Sequence, residues 1–111
     1  EEVGPDLSQT CCGPAKTNRW YGGLRGRDGA VYGVPYNAPG LLRIVPAEAA
    51  EDVVVQILGN YGCGGWKWHG GCYHPEEGNI YAFPSHAAEA MVIDTDPGTD
   101  DDKRTSRLPI P

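Results

Sequence analysis

The segment Arg19-Trp20-Tyr21-Gly22-Gly23 returns as Lys67-Trp68-His69-Gly70-Gly71. A Gly-x-aliphatic-Tyr-x-x-Pro stretch follows each copy, first from Gly29 through Tyr32 to Pro35 and again from Gly78 through Tyr81 to Pro84. The spacing is 48 residues between the tryptophans and 49 between the tyrosines and between the prolines, so the second copy carries one inserted residue, placed near His74-Pro75. A duplication of this length demands two structural units of one kind, each unable to bury its apolar side alone, rather than a fold organised around one catalytic cleft.

The units read as β-structure. Sixteen glycines and ten prolines in 111 residues disfavour long helices and favour short strands joined by turns. In the first copy, strands are expected over Trp20 to Leu24, Ala30 to Val34, Leu41 to Val45 and Val53 to Leu58, with Asp28-Gly29 as a hairpin turn. The second copy repeats the order through Trp68 to Tyr73, Asn79 to Phe83 and Ala88 to Ile93. Its last strand, Lys103 to Leu108, is polar and is expected to be frayed or supplied by a partner. Helix is limited to the short windows Ala47 to Asp52 and Ser85 to Ala90, below the ~12 residues that an isolated helix needs. The organisation is an extended arm (1–18), a first repeat (19–65) and a second repeat with a polar tail (66–111). The fold class is all-β, two four-stranded meanders in one structural domain.

The shared pattern resembles the Kelch-like, propeller-type repeats abundant in algal and other protist proteins, in which Lys-Trp-x-Gly-Gly precedes Gly-Lys-Ile-Tyr-Gly-Ile-Pro. The resemblance covers about residues 19 to 108 and departs at Cys72-Tyr73-His74-Pro75 and at the polar final strand. It implies a β-propeller of four-stranded blades, with Trp20, Gly22, Gly23, Tyr32 and Pro35 and their counterparts Trp68, Gly70, Gly71, Tyr81 and Pro84 as the repeat's structural residues. A closed propeller typically takes at least four blades, and two repeats therefore point to completion from a longer chain, from a partner, or by an unusual closure.

Composition narrows the function classes. Fifteen acidic and nine basic side chains give a formal charge of −6, without the basic stripe that phosphate neutralisation requires, which argues against nucleic acid. No apolar run approaches the ~20 residues needed to cross a bilayer as a helix, so membrane association is expected to be peripheral, through a partner. The first residues lack methionine and a basic-then-apolar leader, which fits a removed targeting segment or a piece of a longer chain. Cys11, Cys12, Cys63 and Cys72 fit an oxidising compartment in number, with Cys63–Cys72, or a bridge from the tandem pair, as candidate disulfides.

Candidate chemistry is sparse. Trp66, Tyr61 and Tyr73 are candidates for stacking a ligand ring, with Trp66 expected on the same strand face as Trp68. Cys63, His69, Cys72 and His74 are metal-binding residue types without diagnostic spacing. Asp94, Asp96 and Asp100 lie in an acidic loop that lacks the closing glutamate of a helix-loop-helix calcium site. Ser85-His86 is the nearest approach to a nucleophile and base, a pair that meets only in a turn. The expectation is a non-enzymatic, cofactor-free protein-interaction subunit at the periphery of a larger protein assembly, in an oxidising lumen or outside the cell. A thylakoid-lumen subunit of an algal photosynthetic complex is one instance that the family's distribution implies. The competing readings are a lectin-like or calcium-dependent binding module and a fragment of a longer propeller.

Overall fold

Turn chemistry and alternation produce eight strands among the described residues: β1 (Trp20–Arg25), β2 (Val31–Pro35), β3 (Leu41–Val45), β4 (Val54–Leu58), β5 (Trp68–His74), β6 (Asn79–Pro84), β7 (Glu89–Asp94) and β8 (Thr105–Pro109). They form two antiparallel four-stranded meanders, β1-β2-β3-β4 and β5-β6-β7-β8, so the chain is all-β as expected. The computed structural model describes residues 6–7 and 17–110; most of the expected arm, with Cys11 and Cys12, lies outside the described residues. No helix among them is long and apolar enough to cross a membrane. Among the described residues helix is confined to single 3-10 turns at Ala50–Asp52 and Asp101–Lys103, and the window from Ser85 closes as a bend before β7.

The repeat is reproduced down to single hydrogen bonds. Trp20 Nε1 donates to the Gly40 carbonyl and Trp68 Nε1 to the Glu89 carbonyl, each at 2.9 Å. Tyr32 donates to Asp28 at 2.6 Å, and Tyr81 to Glu77 at 2.8 Å. Both first strands bulge after the tryptophan, where Gly22 (φ +68°) and Gly70 (φ +75°) take the left-handed conformation open to glycine. The inserted residue is absorbed by β5, which runs seven residues against six in β1.

The final strand departs from expectation. β8 is supplied by the chain itself and pairs with β7 from Glu89↔Pro109 to Ile93↔Thr105. Its stability comes from the backbone ladder and from anchors at its N-terminal end rather than from apolar side chains. Thr105 accepts a 2.6 Å hydrogen bond from Tyr61, and the adjoining Arg104 is buried.

Cross-strand register sorts the side chains onto faces. Ile80, Ala82, Met91 and Ile93 share one face of the second sheet with Trp68 and are buried against Tyr32, Val34 and Leu41 of the first. Leu24, Val45, Leu58 and Tyr61 complete this single core from the first-sheet side. At one end the backbones meet so closely that a Cβ on Gly26 would lie 2.5 Å from Thr95 Cβ and 2.8 Å from the Tyr32 ring. Arg27 N donates to Thr95 Oγ1 at 2.8 Å and Asp28 N to the Thr95 carbonyl at 3.0 Å. At the other end Gly64 N and Lys67 N donate to the carbonyls of Asn37 and Tyr36, at 2.7 and 2.9 Å.

A charged network closes the core between the sheets. Asp28 of the first sheet, its side chain 4% exposed, is 2.9 Å from Arg43 and 3.7 Å from Arg104 of the second. Arg104 also pairs with Asp101 at 2.8 Å, and Asp101 accepts from Gln56 at 3.0 Å. Two arginines and two aspartates balance, which is the condition for burying them. Burial pushes Asp28 up, but hydrogen bonds from Tyr32, Arg43 and the Ala30 amide outweigh it and hold the carboxyl below its ordinary 3.8. Burial, then the hydrogen bond to Asp28, pushes the Tyr32 hydroxyl up to about 12.

These shifts give a pH profile. The Asp28 contribution is present above its unfolded value and is lost as pH falls through the lower folded value, while the Tyr32 contribution persists below its unfolded value near 10 and is lost as pH rises towards about 12. Urea midpoints should therefore fall below about pH 4, and Asp28→Asn should flatten that acid limb. Arg43→Ala, which leaves the buried Asp28 carboxylate with Arg104 as its remaining cation at 3.7 Å, should cost about 3 kcal/mol at pH 7; an unchanged midpoint would remove the network from the fold's stability.

Candidate functional site

The Trp-x-Gly-Gly element divides its two ring positions between core and surface, because neighbouring strand residues point to opposite faces. Trp68 is 2% exposed, whereas the next ring, His69, is exposed. In the first repeat the equivalent Tyr21 is 44% exposed, and its ring centroid lies 3.7 Å from that of His69. Because β1 and β5 are neighbours, equivalent positions of the two repeats thus meet across the sheet junction.

Tyr36 extends this pair, with its ring 5.9 Å from Tyr21 and 5.6 Å from His69. Trp66 lies parallel to Tyr36 at 6.4 Å and edge-on to His86 at 5.5 Å. The five rings form a continuous aromatic surface over the junction with Tyr36 as its hub, and Trp66, which links Tyr36 to His86, is 53% exposed. Such a surface can stack the apolar face of a sugar or a planar ring, with the imidazoles and tyrosine hydroxyls available for hydrogen bonds at its edges.

Trp66 does not share the face of Trp68. It precedes β5 in the left-handed region at φ +44°, which turns its ring away from the core. Asn18 occupies the equivalent place before Arg19 at φ +48°. Asparagine tolerates that conformation, whereas in a bulky residue it is unusual and costs about 1–2 kcal/mol. A hydrogen bond from the Trp66 amide to Asn37 Oδ1 at 3.0 Å holds the backbone in place.

The other candidates are not assembled around Trp66. Tyr61 packs edge-on to Trp68 at 5.2 Å, hydrogen-bonds Thr105, and lies beneath the Arg107 guanidinium, so it belongs to the core. Tyr73 also packs against the core. The Cys63–Cys72 bridge is not made: Cys72 is an exposed free thiol on β5. Cys63 lies in the loop docked near the start of that strand, and four residues of strand advance about 13 Å, beyond the reach of a disulfide.

Among the described residues no three His, Cys, Asp or Glu side chains converge as metal ligands. In the acidic loop, Asp94 accepts from the Asp96 amide and the Thr99 hydroxyl, and Asp96 from the Gly98 amide, so these carboxylates brace the loop itself. Ser85 and His86 do meet in their turn, at 3.2 Å. Both amides are engaged, by the Lys67 carbonyl and by those of Trp66 and Lys67, leaving neither to stabilise an oxyanion.

Tyr36 and His86 as ring neighbours of Trp66, and Tyr21 and His69 beyond Tyr36, escaped the sequence. The available signal was the alternation after each tryptophan, which sends Tyr21 and His69 to the face opposite Trp20 and Trp68. Comparison with protein-family models, curated proteins and solved structures finds no match to this chain.

The two tryptophans should respond oppositely. Trp66→Asn restores the residue type of the equivalent position and should leave stability within about 1 kcal/mol of the parent, the relieved strain offsetting lost ring contacts. Trp68→Ala should cost about 3–5 kcal/mol. Chemical denaturation followed by far-UV circular dichroism tests both, and a larger loss for Trp66→Asn would make that ring a structural element.

Proposed function

We propose that this chain is a non-catalytic interaction module built of two Kelch-like repeats, held against other polypeptide by its sheet faces as a peripheral component of a larger assembly. The observation that carries this reading is the apolar face of the first sheet that is turned away from the second and that no described strand covers. Register places Val31, Ile44 and Val55 in one row and Gly33, Leu42 and Ile57 in the next, and Trp20 lies against Gly33 on the same side. Val31 is 37% exposed and Leu42, Ile44, Val55 and Ile57 are half-buried. On the equivalent face of the second sheet, Ile80, Ala82, Met91 and Ile93 are fully buried against the first. An apolar face of this extent marks an interaction surface.

A photo-crosslinking residue placed at Ile44 in the full chain, expressed in its source, should form adducts with polypeptide. A chain that migrates at its own mass with no adduct would overturn the reading.

The aromatic surface supports a second reading, ligand binding at the sheet junction, because five rings gather where neither repeat alone would place them. Glycan binding by the parent that is lost in Trp66→Asn would favour it. No binding by the parent to a broad glycan array would count against it.

A further inference from the structure

We infer that the occupant of the uncovered face is a second copy of this chain, and that copies stack head to tail into a ring with two sheets per copy. This rests on the interaction-module reading above and names the partner.

The contact between the two sheets is itself the template. It joins the tryptophan-bearing face of one repeat to the tyrosine-bearing face of the other, an asymmetric pairing that leaves one face of each kind unused. The unused tryptophan-bearing face is Trp20, Val31, Leu42, Ile44, Val55 and Ile57. The unused tyrosine-bearing face comprises Tyr81, Phe83, Ala90, Val92 and Leu108, of which Phe83 and Leu108 are 53% and 47% exposed. Each is the repeat counterpart of a surface that already fits its partner within the chain.

The charges agree with this pairing. Where the internal junction has Arg43, the unused tyrosine-bearing face has Val92; where it has Asp101 and Arg104, the unused tryptophan-bearing side has Ala50 and Val53 at the matching 3-10 turn. The arginines drop out on both sides together, so neither face would bury an unpaired arginine against the other, while Glu77 keeps the place of Asp28 and stays hydrogen-bonded to Tyr81.

The backbone supplies an independent observation. Trp66-Lys67 uses its left-handed residue to aim two amides at the turn after β2, reaching Asn37 Oδ1 and the Tyr36 carbonyl. Asn18-Arg19 already holds the same conformation. The matching turn after β6, Ser85-His86, lies beside the unused tyrosine-bearing face, where a neighbouring copy's Asn18-Arg19 would meet it.

A face that joins a different face gives a closed ring if the rotation closes, and two copies supply four sheets, the low end of propeller size. Native mass spectrometry and light scattering on the purified full chain test this. The expected mass is a small whole multiple, two or more, of 11.9 kDa. A single-chain mass at micromolar concentration, as the chain's own N-terminal segment folding over the face would give, overturns the inference. If crosslinks from Ile44 then lead to a different protein, the interaction-module reading stands while this inference fails; if there are none, both fail.

Leu42→Glu and Val92→Glu should each weaken assembly by about tenfold or more with the strand circular dichroism signal retained. Should either lose that signal, Leu42→Gln and Val92→Gln read the same contact. A like-to-like dimer through the tryptophan-bearing face would survive the Val92 substitutions unchanged, and that result also overturns the head-to-tail ring.

Discussion

Burial of one sheet's apolar face by the other is the interaction on which the remainder of this molecule depends. A four-stranded meander of about forty residues cannot remove both of its faces from water, and below about that size a domain needs outside support. Ile80, Met91 and Ile93 lose all exposure only because Tyr32, Val34 and Leu41 lie opposite. Apolar burial, at roughly 25 cal/mol per Å2, is non-directional and would tolerate sliding. The directional elements stand around it: Thr95 against the first hairpin turn at one end, and the Gly64 and Lys67 amides on the Tyr36-Asn37 turn at the other.

The Asp28–Arg43–Arg104–Asp101 network belongs to this directional set. A buried ion cluster contributes little net stability compared with an apolar equivalent, but removing one member is expensive. Its effect is therefore on specificity: the first sheet accepts a neighbour that presents Arg104 and Asp101. The unused faces carry valine and alanine where the junction has Arg43, Arg104 and Asp101, which makes them a different pairing without buried arginine. The aromatic surface is a by-product of the same stacking, since Tyr21 and His69 meet only because β1 and β5 are adjacent.

Much of the fold was legible in the sequence because its causes are local. Asp28-Gly29, Glu77-Gly78 and the paired glycines after each tryptophan specify hairpins and bulges by backbone chemistry, and alternating apolar residues specify strands. β8 was legible only as the counterpart of the fourth strand of the first repeat, and its being held was not: Ser106 and Arg107 give no apolar signal, and the strand is fixed by the β7 ladder and by Tyr61, 44 residues away. The surface site was legible only in part. Trp66 was visible as a candidate, but its position required a left-handed backbone that no tryptophan advertises. Its ring neighbours, Tyr36 and His86, come from the turns after β2 and β6, and Tyr36 in turn meets Tyr21 of β1 and His69 of β5, all brought together by packing.

The sequence alone determined that there are two equivalent meanders, where their turns fall and which side of each strand is apolar, since these follow from residue-level propensity and a period of two. Only the tertiary structure decided which of those apolar sides is covered. Trp20 and Trp68 occupy the same place in the repeat and make the same indole hydrogen bond, yet Trp68 packs beneath a neighbouring sheet and Trp20 lies half-buried on the face turned away from that sheet. The difference is in no local signal: in a stack of two, each unit has a neighbour on one side only.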